Sequence, residues 1–159
     1  MDREATTDDR ELPQAFDPLS LKVWVVLARC YQSFSRLVAH DLARHGLTTP
    51  QFGVLEALYH LGPLTLGELA GKLLVTGGNI TYVMDRLERE GLVQRVRSES
   101  DRRVVTAELT CEGRELLDRI FPDHAEIIEE AMGVLDTSER EELHRLLKKL
   151  GLSVRDELD

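Results

Sequence analysis

Two cysteines, Cys30 and Cys111, are all that this chain of 159 residues has, and they stand 81 positions apart with no CxxC spacing. Their scarcity excludes a disulfide framework and a zinc ribbon, and it fits a reducing, cytoplasmic setting. No apolar run approaches the ~20 residues that cross a bilayer, so no membrane partner is expected. The N-terminus MDREATTDDRE is acidic where a signal peptide is basic. The chain also lacks a phosphate loop, a dinucleotide fingerprint and a nucleophile elbow. Its five histidines, His40, His45, His60, His124 and His144, are scattered, without partners at metal-site spacing. Neither catalysis nor a metal nor a cofactor is therefore expected.

Basic charge is scarce too. The net charge is −9, but the acid lies at the two ends: six acidic against two basic side chains over 1–18, and fourteen against seven over 111–159. Residues 64–110 balance seven with seven, and within 92–106 Arg95, Arg97, Arg102 and Arg103 face only Glu99 and Asp101. A polyanion responds to the local patch that reaches it, so the overall charge does not exclude nucleic acid.

What the chain does have is helical periodicity with clear start and stop signals. Residues 1–16 are polar and read as a mobile acidic arm. Asp17 and Pro18 form an N-cap and first-turn pair, after which Leu21, Trp24, Leu27, Ala28, Tyr31, Phe34, Val38 and Leu42 recur at helical spacing until Gly46. Thr48 with Gln51 opens a second helix carrying Phe52, Leu55 and Leu58, closed by Gly62 and Pro63. After Thr110 an apolar stripe resumes with Leu116, Leu117, Ile120, Phe121, Ile127, Ile128, Ala131 and Leu135, and Pro122 is expected to bend the helix or loosen a turn. Ser138 and Glu141 read as the cap of a last helix bearing Leu143, Leu146, Leu147 and Leu150 and ending at Gly151, followed by a tail over 152–159. Long apolar stripes at both ends of so short a chain favour packing against a second copy.

The stretch from Leu64 to Thr110 is the organising part. Thr65 with Glu68 caps a helix carrying Leu66, Leu69, Ala70 and Leu73; Thr76 or Gly77 opens the next. There Ile80, Val83, Met84 and Leu87 make a buried stripe that stops at Gly91, leaving Gly78, Thr81, Tyr82, Asp85, Arg86 and Arg89 on the opposite face. Strands near Val93–Arg97 and Arg103–Leu109 flank a polar tip, SESDR. Helix, connection, helix and basic hairpin follow the order of a winged helix-turn-helix. The fold class is thus mainly α with a small β-hairpin wing (α+β). The single domain expected over 17–151 has its winged helix-turn-helix at 48–110 and flanking dimerisation helices at 17–46 and 111–151.

The run Asp101, Arg102, Arg103, then Leu109 and Thr110, placed after LEREGLVQR, resembles the wing signature of the multiple antibiotic resistance regulator (MarR) family. The resemblance extends over roughly Leu19 to Gly151. TPQFGVLEALYHLGPLTLGELAGKLLVTGGNITYVMDRLE and DRIFPDHAEIIEE resemble the branch that includes quinone-responsive repressors. It implies a homodimeric, sequence-specific transcriptional regulator of double-stranded DNA, a repressor by family expectation, on a pseudo-palindromic operator. The second helix of the motif would lie in the major groove, with Thr81, Tyr82 and Arg86 near base edges or phosphates and the amides of Gly77 and Gly78 near the backbone. A tight turn needing permissive dihedrals is the other account of those glycines. Thr65 belongs to the same DNA-facing set. Arg103 would enter the minor groove, held by Asp101, with Arg95, Arg97 and Arg102 as phosphate contacts.

The resemblance also implies a crevice for a small aromatic or phenolic effector, for which Trp24, Tyr31 and Phe34 are the available lining; plain core packing is the alternative. Trp24 stands where the family's peroxide sensors carry a reactive cysteine, and Cys30, six residues later, reads as a buried thiol. Cys111, in the first turn of a long helix, is the redox candidate, since the helix dipole there favours a thiolate. Two other functions fit the pattern: a winged-helix protein-interaction module that does not bind DNA, and a thiol-based redox regulator.

Overall fold

The computed structural model describes residues 17–73, 77–97 and 104–156. The acidic arm expected over 1–16 lies outside them. Internal packing divides the chain into two compact units, one up to Leu37 and one from Val38 onward, and the boundary falls inside α1 (Pro18–Arg44). After α1 come α2 (Thr49–Leu61), β1 (Leu64–Thr65), α3 (Leu66–Leu73), α4 (Gly77–Arg89), β2 (Val93–Arg97), β3 (Val105–Leu109), α5 (Cys111–Met132) and α6 (Thr137–Asp156).

In the first unit α1 starts at Pro18, as the Asp17 and Pro18 pair predicts. One Asp17 oxygen accepts the Leu19 N–H at 2.9 Å and the other accepts the Ser20 hydroxyl at 2.8 Å. Those bonds satisfy donors that a helix start leaves orphaned, and they hold the Asp17 carboxyl below its usual range. Leu19, Leu21, Val23, Trp24, Val25 and Val26 are exposed in the single chain.

In the second unit the expected stops at Gly46 and Gly91 are made by local geometry. Gly46 has φ 73°, a left-handed conformation that a side chain resists, and Leu47 N–H reaches back to the Leu42 carbonyl at 3.0 Å. Gly91 repeats the device at φ 74°, with Leu92 N–H on the Leu87 carbonyl at 3.0 Å. The α2 start is a complete capping box in which Gln51 N–H donates to the Thr48 hydroxyl and Thr48 N–H donates to the Gln51 side chain.

The core of this unit joins Leu42, Phe52, Val54, Leu55 and Leu58 to Leu69, Ile80, Met84, Leu87, Val93, Ala107, Leu117 and Ile120. Burying each leucine, isoleucine or methionine here contributes roughly 1.5–3 kcal/mol, so the α4 stripe alone anchors that helix firmly. One polar pair is buried with them. Asp41 and His124 meet at 2.9 Å, and the His124 ring lies 4.6 Å from the Phe52 ring, centroid to centroid. Histidines that read as scattered along the chain thus include one with a carboxylate partner 83 residues away.

Several expectations are corrected. The wing is a three-stranded antiparallel sheet of order β1-β3-β2, not a hairpin alone, because Leu64 and Thr65 pair with Ala107 and Thr106. β2 and β3 pair from Val93 opposite Leu109 to Arg97 opposite Val105. α6 is capped by Asp136 rather than Ser138: Asp136 Oδ1 accepts Glu139 N–H at 2.9 Å while Glu139 Oε2 accepts Asp136 N–H at 2.9 Å. Starting there adds helical residues, and the helix then runs through Gly151 to Asp156 instead of ending at it. A glycine inside a helix costs about 1 kcal/mol, too little to stop one without a proline behind it. α5 runs from Cys111 to Met132 with Pro122 inside it.

Candidate nucleic-acid interface

α4 has two faces of opposite character. Ile80, Val83, Met84 and Leu87 are at most 5% exposed, whereas Gly77, Gly78, Thr81, Tyr82, Asp85, Arg86 and Arg89 are all exposed. Tyr82, at 63% exposure, is a large aromatic that the fold does not cover. The helix opens at Gly77, and Thr76 lies outside the described residues. Gly77 and Gly78 are the first two residues of α4. A Cβ at either would meet nothing within 4 Å, which leaves the backbone at this helix N-terminus open to an approaching group.

The polar side chains on this face are oriented by neighbours. Thr81 donates its hydroxyl to the Gly77 carbonyl at 3.0 Å, and Arg89 donates Nε to the Asp85 carbonyl at 3.1 Å. Arg86 donates Nε to Glu90 Oε1 at 3.0 Å; that bond, with the carboxylate's charge, keeps the guanidinium above its ordinary pKa. Tyr82, Arg86, Arg89 and Glu90 line one shallow depression of about 340 Å³.

Arg95, on β2, is different. It is 24% exposed and its guanidinium meets Asp85 at 2.6 Å and Glu88 in a second, closer ion pair, while its backbone N–H donates to Glu88 at 3.1 Å. Burial works against its charge, but the two carboxylates outweigh that and raise its pKa. The side chain ties the wing to α4. With Thr65, Leu66, Gly67, Thr81, Val104 and Val105 it lines a groove of about 540 Å³, so three residues singled out in the sequence, Thr65, Thr81 and Arg95, meet there. Thr65 itself is occupied in the α3 capping box, its N–H and hydroxyl both on Glu68 at 2.8 and 2.9 Å. Arg97 ends β2 and is exposed. Asp101, Arg102 and Arg103 lie outside the described residues.

Trp24 and Tyr31 are 64% and 73% exposed, and Phe34 is half-buried. Cys111 is the first residue of α5, exposed beside its N-cap Thr110. Cys30 is exposed as well, which corrects the buried thiol expected there: α1 carries its apolar side chains uncovered in the single chain. Sequence reasoning missed Glu88 and Glu90, which orient the arginines, and the reach of Gln51 to Glu90; the Glu88–Arg95 and Gln51–Glu90 contacts are not helix-spaced, whereas Glu90 stands four residues after Arg86, a spacing that could have signalled that pair. Among the described residues no group of three or more His, Cys, Asp or Glu is placed to hold a metal ion, and no helix is long and apolar enough to cross a membrane.

A short helix capped at Thr65, a second helix with one face buried and the other free, and a three-stranded wing pinned to that second helix define a winged helix-turn-helix, a DNA-binding module. Comparison with known proteins agrees. The MarR family model matches residues 47–105. The HTH-type transcriptional regulator MhqR of Bacillus subtilis is 43% identical over 136 residues, covering 86% of this chain and 94% of that one. Among solved structures, a single-substitution mutant of MarR from E. coli complexed with operator DNA superposes with a TM-score of 0.76 at 27% identity, over 83% of this chain and 95% of that chain. BpsR of Bordetella bronchiseptica, whose DNA binding is regulated by 6-hydroxynicotinic acid, superposes with a TM-score of 0.74 at 28% identity, over 82% and 98%. The chain belongs to the MarR family, and it is a DNA-binding transcriptional regulator.

Proposed function

We propose that two copies of the chain bind a pseudo-palindromic operator, each placing α4 in a major groove, and that a small aromatic compound or quinone releases them. The observation that carries this is the division of α4: its apolar stripe is wholly buried and its other face presents Tyr82, Arg86 and Thr81 to solvent. A major groove about 12 Å wide admits such a helix, and arginine and hydroxyl groups are what base edges and phosphates accept. Gly77 and Gly78 let a phosphate approach the helix start. Arg97 and, on the family resemblance, Arg102 and Arg103 with Asp101 serve the flanking backbone and minor groove. Arg95 acts as the brace between wing and reading helix.

The effector reading rests on the relatives, one of which is regulated by 6-hydroxynicotinic acid, and on the resemblance to the quinone-responsive branch. Trp24, Tyr31 and Phe34 supply the aromatic surface for a noncovalent ligand, and Cys111 the thiol for a covalent one. Cytoplasmic residence follows from the need to reach DNA.

The test is selection of bound duplexes from a random pool, then release by a panel of phenols and quinones from wild type and Cys111→Ser. Enriched sequences should contain two half-sites about 34 Å apart, and affinity should fall with salt. A pool that yields no enrichment would sink the DNA reading. Equal release of both proteins by benzoquinone would remove Cys111 and leave the noncovalent route.

A further inference from the structure

Arg86 is held by a relay that begins inside the core of the second unit. Gln51, 1% exposed, accepts two bonds on its Oε1, from the Thr48 N–H and the Thr48 hydroxyl, both at 2.9 Å. That assignment turns its NH₂ toward α4, where Nε2 donates to Glu90 Oε2 at 3.1 Å. The other oxygen of Glu90 accepts Arg86 Nε at 3.0 Å. Each carboxylate oxygen therefore has its own partner, one buried and one on the reading face.

Helix stability does not explain this placement. Glu90 directly follows α4, at the negative end of the helix dipole, and an Arg-then-Glu order at i, i+4 is the weaker one. Gly91 turns the chain at φ 74° directly after it, so Glu90 stands where its side chain can reach the start of α2. Bonding through Nε also fixes the plane of the guanidinium, which the Tyr82 side chain hydrogen-bonds as well, and a guanidinium so held can turn a fork of donors toward a guanine edge.

We infer that Gln51 and Glu90 are positioning residues that preorganise Arg86 for sequence discrimination, an inference that rests on the reading of α4 as the DNA-facing helix. Glu90 then has two opposed effects on DNA. Its charge repels phosphate in general, while its hold on Arg86 favours one base edge in particular. Its contribution is to the ratio between operator and other DNA rather than to affinity as such.

The experiment uses an operator duplex selected by the full chain and a scrambled duplex of the same length, with wild type, Glu90→Gln, Arg86→Ala and the double variant. Gln51 and Arg86 each donate to a different oxygen of Glu90, and Glu90→Gln puts an NH₂ donor in place of one of them and removes the charge, so one of the two bonds is lost in this geometry; the exposed position keeps the fold, as a thermal melt will show. The operator-to-scrambled affinity ratio should fall by about threefold to tenfold in Glu90→Gln. In the Arg86→Ala background the same change should leave the ratio unaltered, an outcome that a purely structural role would not produce. An equal loss in both backgrounds, or no loss in either, overturns the relay. A wild type that discriminates while Arg86→Ala discriminates equally well also overturns it but leaves DNA binding standing; a wild type that does not discriminate at all removes the DNA reading and this inference together.

Discussion

Arg95 and Arg97 are two residues apart on β2, project from the same strand, and have opposite surroundings. Arg95 is paired with Asp85 and Glu88, whereas Arg97 is exposed at the strand end. A guanidinium already shared between two carboxylates releases no counterion when DNA arrives; an unshielded one does. Arg97→Ala should therefore reduce the slope of log affinity against log salt by about 1. Arg95→Gln should leave that slope unchanged, while lowering unfolding stability by about 1 kcal/mol, as a partly exposed ion-pair network would. Salt titrations and thermal melts on both variants check this, and a slope change confined to Arg95→Gln would reverse the assignment. The sequence made both arginines look alike because spacing on a strand shows which face a residue takes, not which helix packs over it.

At the scale of elements, most boundaries were legible because they are written in a few residues each. Thr48 with Gln51, Thr65 with Glu68, and Gly46, Gly62 and Gly91 satisfy orphaned backbone groups locally, and the structure uses each one. The failures came where two local solutions compete or where pairing is nonlocal. In Asp136-Thr137-Ser138-Glu139-Arg140-Glu141 the capping pattern occurs twice, and the earlier one wins since aspartate caps at least as well as serine and the longer helix gains hydrogen bonds. β1 is two residues long and exists only because β3 lies beside it. Asp136→Ala should accordingly cost about 1 kcal/mol of stability, and Ser138→Ala only a few tenths. Denaturant unfolding of the two variants decides it; a larger loss at Ser138 would restore the later cap.

For the molecule as a whole, the fold class and the two faces of α4 were legible because burial of the α4 stripe is enforced by its own periodicity, while a second copy is proposed from apolar surface that the single chain leaves uncovered. Leu143, Leu146, Leu147, Leu150, Leu152 and Val154 on α6 are 37–50% exposed, and on α1 Trp24 and Val26 are 64% and 67% exposed. Leaving such side chains in water forgoes roughly 1.5–3 kcal/mol for each one that a partner could bury. None of these residues belongs to the core cluster, so their faces can be altered without touching the winged unit. Leu146→Glu with Leu150→Glu should convert a species of twice the 18.0 kDa chain mass into one of 18.0 kDa at micromolar concentration in light scattering. The melting of the winged unit should persist, because Leu55, Met84 and Leu117 remain packed. Operator affinity should fall far more than scrambled-duplex affinity, since two linked reading helices gain from half-sites that a single one cannot span. A wild type that scatters as 18.0 kDa across that range would show that the exposed faces serve something other than a second copy.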